Sequence, residues 1–145
     1  MLRVGVFGGG VVGGGVCELL QRHASRLTSL GLTIQVAKIC IRDPSKPRDF
    51  PLDPSTQVVT NFDDILEDPA IGCVVEVIGG VTAARDIVLR ALKAGKHVVT
   101  ANKAHTLTII RACLSWSFVI LGSDRHSPGG AHRYLESCAR SHSQL

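Results

Sequence analysis

Apolar and polar positions follow two alternating periods along this chain. Arg3 to Phe7, Thr33 to Ile41, Val58 to Val59, Cys73 to Ile78 and His97 to Thr100 are short runs rich in β-branched and aliphatic residues, and they predict five strands. Cys73 to Ile78 is almost continuously apolar, so that strand should be buried on both faces. Between the runs the period becomes helical. Val12, Val16, Leu19, Leu20, His23, Leu27 and Leu30 recur on one face, with Glu18, Gln21, Arg22 and Arg26 outward, which predicts a single helix ending at Gly31, with His23 at its buried boundary. Ala84, Ile87, Val88, Ala91 and Leu92 make a second stripe against Arg85, Asp86, Arg90 and Lys93, capped by Thr82 and stopped at Gly95. Thr60-Asn61-Phe62-Asp63 has the form of a capping box, opening a brief helix through Leu66 that ends near Pro69. Pro44, Pro47, Pro51 and Pro54 keep the connection after the second strand irregular.

Strand alternating with helix implies a parallel sheet with right-handed crossovers. The first strand stops at Gly8, which opens a Gly-x-Gly-x-x-Gly pattern at Gly8, Gly10 and Gly13. In that order of strand, glycine turn and helix, Gly8 permits the tight turn, Gly10 lets the backbone approach a pyrophosphate, and Gly13 lets the helix pack close to the strand. Phosphates would then sit on the free N–H groups of the helix start. A flexible glycine-rich segment is the alternative, since Gly13, Gly14 and Gly15 each cost a helix about 1 kcal/mol relative to Ala. The flanking strand and amphipathic segment supply the context that the dinucleotide pattern requires. The expected fold is therefore α/β: a Rossmann-like doubly wound parallel sheet over residues 1–104, followed by an atypical, irregular tail over 105–145.

In such a unit the tip of the second strand meets the adenosine ribose, where an acidic residue bonds a free 2′-hydroxyl and an arginine accommodates a 2′-phosphate. Arg42 comes first here and Asp43 follows, which favours NADP and leaves NAD possible, with Lys46 and Arg48 as further phosphate ligands. A merely solvated loop is the alternative. Gly79 and Gly80, at the carboxyl end of the fourth strand, are expected beside the cofactor, the alternative being a plain turn.

Composition narrows the class. The chain has 145 residues, enough for one domain, and its net charge of +4 is dispersed without the basic stripe nucleic acid would select. Cys17, Cys40, Cys73, Cys113 and Cys138 are odd in number and form no Cys-x-x-Cys pair, so they read as reduced thiols in a cytoplasmic protein. No signal peptide is expected, because Met1 to Phe7 runs straight into a strand and glycine. Leu107 to Leu121 contains Arg111 and falls short of the roughly 20 residues a bilayer span needs, so no membrane association is expected.

Gly-Gly-Gly-Val-Val-Gly-Gly-Gly-Val at 8 to 16, Ile-Arg-Asp at 41 to 43, Glu-Val-Ile-Gly-Gly at 76 to 80 and Gly-Lys-His-Val-Val-Thr-Ala-Asn-Lys-Ala at 95 to 104 together resemble the N-terminal half of a homoserine dehydrogenase. The first motif is generic and the last is specific. The resemblance implies an NAD(P)-dependent oxidoreductase of threonine, methionine and isoleucine biosynthesis that interconverts L-homoserine and L-aspartate 4-semialdehyde. It places cofactor contacts at Gly8, Gly10, Val11, Val12, Gly13 and Arg42, and assigns Lys103 a catalytic or positioning role near the nicotinamide and the amino-acid substrate. Independently, a lysine at a strand's carboxyl end can donate a proton to a carbonyl oxygen as hydride arrives, if partial burial lowers its pKa; an ordinary exposed lysine is the alternative. Sugar and polyol dehydrogenases carry a similar strand before a lysine, but inside a Glu-Lys-Pro segment, from which Asn102-Lys103-Ala104 departs.

The resemblance stops at about Ala104. Beyond it the family carries a longer substrate and dimerisation region, with a second lysine, acidic substrate ligands and a metal-ion loop, which this sequence does not show. From His105 onward lysine disappears while His105, His126, His132 and His142 supply four of the six histidines. An aberrant reading frame, a retained intron or a mis-spliced end would produce such a change. His126, His132, Cys138 and His142 are zinc-ligand types, but their spacing matches no familiar finger, so no metal site is expected. The reading is thus a cofactor-binding fragment without efficient turnover. The alternative is a non-catalytic dinucleotide-binding or regulatory module that forms mixed oligomers with a full-length homologue.

Overall fold

From β1 (Leu2–Phe7) the chain steps outward to β2 (Ile34–Cys40) and β3 (Gln57–Val59), then crosses back to β4 (Cys73–Glu76), β5 (His97–Thr100) and β6 (Phe118–Ile120). The computed structural model describes residues 1–80, 82–101 and 118–120, the last three as strand backbone. The strands form one sheet in the order β3-β2-β1-β4-β5-β6, and each neighbouring pair is parallel. Reversal of direction beside β1 opens a crevice where the strands end, which is where ligands of such sheets bind. The five strands expected from the apolar runs are all present. β6 lies inside the stretch read as tail, with Phe118 opposite Val98.

A parallel sheet must bury both faces, and two apolar clusters do so. On one face Phe7, Ala37, Val74 and Val98 pack against α3 (Asp63–Leu66) and α4 (Thr82–Lys93). On the other, Val4, Val6, Ile39 and Val75 pack around Cys17 of α1 (Val11–Arg22), with Phe50 and Leu52 of the proline-rich loop at the margin. The stripe predicted for α4 is the buried one: Ala84, Ile87, Val88, Ala91 and Leu92 are all inside. Its stop is also as expected. At Gly95 (φ +74°) the N–H bonds Leu92 O at 2.9 Å and the next N–H bonds Ala91 O at 3.0 Å, the paired bonds of a glycine C-cap. Gly31 ends its helix in the same way.

Three local expectations need correction. The single helix to Leu30 is broken at His23 (φ −101°, ψ 10°) into α1 and α2 (Ala24–Ser29). The cause is packing: α1 buries Gly13, Gly14 and Cys17, whereas no residue of α2 is buried, so nothing in the core holds the two collinear. Leu19, Leu30 and His23 are consequently exposed rather than on or beside a buried stripe. The Thr60 capping box does not form either; Asn61 Oδ1 accepts the Asp63 N–H at 3.1 Å, an Asx turn that serves the same orphan donor. Thr82 is the first helical residue of α4 rather than the one before it.

At the amino end of the sheet one buried lysine fixes the strand that walls the crevice. Lys96 Nζ donates to the carbonyl oxygens of Asp68 at 2.6 Å and Ile71 at 2.9 Å, and burial lowers its pKa. Lys38 Nζ pairs with Asp68 Oδ2 at 2.9 Å, so the turn leading into β4 is held from two strands. Replacing Lys96 by Met would keep the buried stem and strand both carbonyls. The K96M chain is expected to lose about 1–3 kcal/mol of stability in urea unfolding; an unchanged midpoint would show that the turn needs no such tie.

Candidate functional site

Where β1, β2 and β4 end, the chain leaves an open cleft of about 1120 Å³. Its floor is the glycine turn and the start of α1, one wall is Ile41 to Arg42 with the proline-rich loop, and the other is Val77 to Gly79. Gly8 has φ +111° and donates its N–H to Cys40 O at 2.9 Å, while a Cβ there would lie 3.0 Å from Val77 O. Gly10 is the N-cap of α1, and no side chain caps that helix. The orphan N–H groups of the first turn, with the positive end of the helix dipole behind them, are therefore available to an anion.

The glycines after the turn are explained by contact. A Cβ at Gly13 would stand 1.8 Å from Gly8 O, so α1 rests its backbone directly on the turn. At Gly14 a Cβ would meet Phe50 Cδ1 at 2.3 Å: the ring fills the space that a side chain would take. Phe50 thereby pins the proline-rich loop onto α1 and carries Arg48 over the turn, its Nε 3.6 Å from where a Gly9 Cβ would be. Gly15 faces open space in the cleft.

Charge is concentrated on the β2 side. Arg42, Lys46 and Arg48 line that wall together with Asp43 and Asp49. Asp43 Oδ1 is turned back on its own loop, accepting the Ser45 hydroxyl at 2.7 Å and the Ser45 N–H at 3.0 Å; these bonds, with Lys46 and Arg48 nearby, hold its carboxyl below the usual carboxylate range. Cys40 also borders the cleft, but burial and the Asp64 charge push its thiol up to about 11, which keeps it protonated and poorly nucleophilic at neutral pH. Burial likewise raises Cys17 and Cys73. Among the described residues no group of three or more His, Cys, Asp or Glu could hold a metal ion, and no helix is long and apolar enough to cross a membrane.

Of the residues singled out from sequence, Gly8, Gly10, Val11, Arg42 and Gly79 come together around the cleft. Val11 is 94% exposed at the helix start, and Val12 stands half-exposed beside it, off the cleft wall. Gly13 supports the turn from behind, and Gly80 (φ +101°) follows Gly79 outside the lining. Lys103 lies outside the described residues, as do His126, His132, Cys138 and His142. Sequence reasoning missed Phe50, Gly14 and Glu76. Only Glu76 carried a signal, as an acid inside a strand otherwise apolar.

Strand order, glycine turn and uncapped helix start define a dinucleotide-binding domain of the Rossmann type. Comparison with known proteins supplies the family. The family model "Homoserine dehydrogenase, NAD binding domain" matches residues 8–109, and the chain belongs to that family, which sets aside the sugar and polyol dehydrogenases. Homoserine dehydrogenase of Bacillus subtilis is 39% identical over 103 residues, covering 70% of this chain and 24% of the relative; that of Pseudomonas aeruginosa is 42% identical over 104 residues, covering 71% and 23%. A crystal structure of S. aureus homoserine dehydrogenase superposes with a TM-score of 0.77 at 27% identity, covering 83% of this chain and 32% of that one. The chain thus spans about a quarter of the length of the curated relatives it matches.

Steric contact and helix propensity make opposite forecasts for two neighbouring glycines. Gly13→Ala gains about 1 kcal/mol of helix propensity but overlaps a backbone carbonyl, an overpacking that costs about 1–3 kcal/mol, so G13A is expected to be neutral to clearly less stable. G15A meets nothing and is expected to be up to about 1 kcal/mol more stable. Urea midpoints of the two variants read the contrast, and equal gains would refute the contact between α1 and the turn.

Proposed function

We propose that this domain binds NADP(H) in preference to NAD(H). The pyrophosphate rests on the N–H groups at Gly10 and Val11, the adenosine 2′-phosphate lies against Arg42 with Lys46 and Arg48 near it, and the nicotinamide extends toward Gly79 and Gly80. One observation carries the choice of cofactor: the acid at the strand tip, Asp43, spends an oxygen on Ser45, while three cations line the same wall. Asp43 Oδ2 and Asp49 remain as acceptors on that wall, but the three cations outnumber the two acids, which favours a 2′-phosphate over a bare 2′-hydroxyl. Titration of the chain with NADPH and NADH, followed by nucleotide fluorescence, is expected to show NADPH bound at least about tenfold more tightly. Arg42→Ala should erase most of that preference, a charge-assisted bond to phosphate being worth about 1.5–3 kcal/mol. Equal affinities in the unsubstituted chain would overturn the assignment.

The reaction we infer for this domain is that of its relatives' name: hydride transfer between L-homoserine and the nicotinamide, giving L-aspartate 4-semialdehyde, with Lys103 taking the catalytic or positioning role that the family resemblance implies. Residues 1–104 form the cofactor domain in this reading. The buried free thiols of Cys17, Cys40 and Cys73 suit a reducing, cytoplasmic setting. Holding the alcohol against the hydride acceptor is worth several orders of magnitude in rate, and in this reading the described residues hold the nucleotide and not the alcohol. The purified chain is therefore expected to bind NADP(H) yet reduce no NADP⁺ with homoserine above the buffer rate. Sustained homoserine-dependent absorbance at 340 nm, on the order of a full-length relative's, would overturn this.

A further inference from the structure

Glu76 is fully buried at the carboxyl end of β4, directly opposite Thr100 of β5 in the sheet ladder, and its carboxylate adds to that pairing a link to the turn that follows β4. Oε1 accepts the Ile78 N–H at 2.9 Å, just where the chain has left the strand. Oε2 accepts the Thr100 hydroxyl at 2.6 Å, at the end of β5, and the Glu76 carbonyl accepts the Ala101 N–H at 3.2 Å. Where the ladder between β4 and β5 stops, one side chain therefore ties the Ile78 N–H of the turn to the end of β5, after which Asn102 and Lys103 follow in sequence. A carboxylate suits this task because it accepts in two directions at once, and an apolar residue of the same volume would leave the Ile78 N–H and the Thr100 hydroxyl to find other partners. Thr100 is itself buried, so it acts through Glu76 and not by touching a ligand.

Resting on the dinucleotide reading above, we infer that the Glu76–Thr100 pair is a positioning device for the nicotinamide half of the cofactor alone. The strand order β2-β1-β4-β5 supports this split. Adenosine belongs to the β2 tip and pyrophosphate to the β1–α1 turn, leaving the nicotinamide end to the wall that begins at Val77, next to β5. The hydrogen bonds of the Glu76 carboxylate go to Ile78 and Thr100, on the β4–β5 side of the cleft, and not to Arg42 or Arg48 on the β2 side.

The test compares two ligands that share the adenosine end, NADPH and adenosine 2′,5′-bisphosphate, on the unsubstituted chain and on Thr100→Val and Thr100→Ser. T100V removes the hydroxyl with little change of shape; T100S keeps it. T100V is expected to bind NADPH about tenfold more weakly, the size of effect one buried hydrogen bond carries, and the bisphosphate unchanged, while T100S binds both as the unsubstituted chain does. Retained bisphosphate binding also reports that each variant is folded. Equal weakening of both ligands, or none, overturns the positioning role while leaving the dinucleotide reading intact. Failure of the unsubstituted chain to bind NADPH overturns that reading, and this inference with it.

Discussion

The structure depends on the contact between the backbone of α1 at Gly13 and the carbonyl of Gly8. Separation of helix and turn by even one methyl group would lift the first helical N–H groups away from the ends of β1 and β4. Because the approach is backbone to backbone, it has almost no give. A side chain can change rotamer, whereas a carbonyl in a turn tied to Cys40 and Val77 cannot move without dragging two strands. The glycine turn is therefore a rigid floor set by the sheet, and the anion-binding helix start inherits its position from β1.

The same economy of side chains on α1 gives the loop its place. In a sheet of this order the β2–β3 connection would ordinarily lie over the face as a helix, but four prolines between Pro44 and Pro54 forbid one. Phe50 substitutes for that missing helix by pressing its ring onto Gly14, and Leu52 joins it at the edge of the core. The cationic wall of the cleft is thus not a free solvated loop. It is a strap with one apolar anchor, and the anchor exists because α1 carries no side chain at that point.

Legibility in the sequence followed from which groups do the packing. α4 could be read because its five buried residues are large and repeat at helical spacing, and β4 because it is apolar on both faces. α1 misled for the opposite reason: its buried face is made of glycine and cysteine, so periodicity pointed to Leu19 and Leu30, which the fold leaves outside. A lone aromatic among prolines has no period at all, and Phe50 becomes intelligible only as the complement of Gly14. The turn itself was legible, since Gly-x-Gly-x-x-Gly after a strand states a backbone requirement directly. β6 was not, because the apolar run that holds it was weighed by its length against a membrane and not by its place beside β5.

The two walls of the cleft are built on different physics. The β2 wall is charged and exposed; at physiological salt its field is screened within about 8 Å, so in the proposed reading its cations would act by direct contact with a phosphate, tolerant of an ångström of motion. Among the described residues the β4 wall presents no charged side chain to the cleft. Its contribution is geometric, held by the buried bonds of Glu76 to Ile78 and Thr100. Affinity tolerates looseness and hydride transfer does not, because the reacting atoms must be held within about 3–3.5 Å. In the proposed reading the charged wall answers to a phosphate and the geometric wall to the placement of the nicotinamide. Nucleotide affinity and the orientation of the bound ring would then depend on different residues, with the boundary between them running along β4.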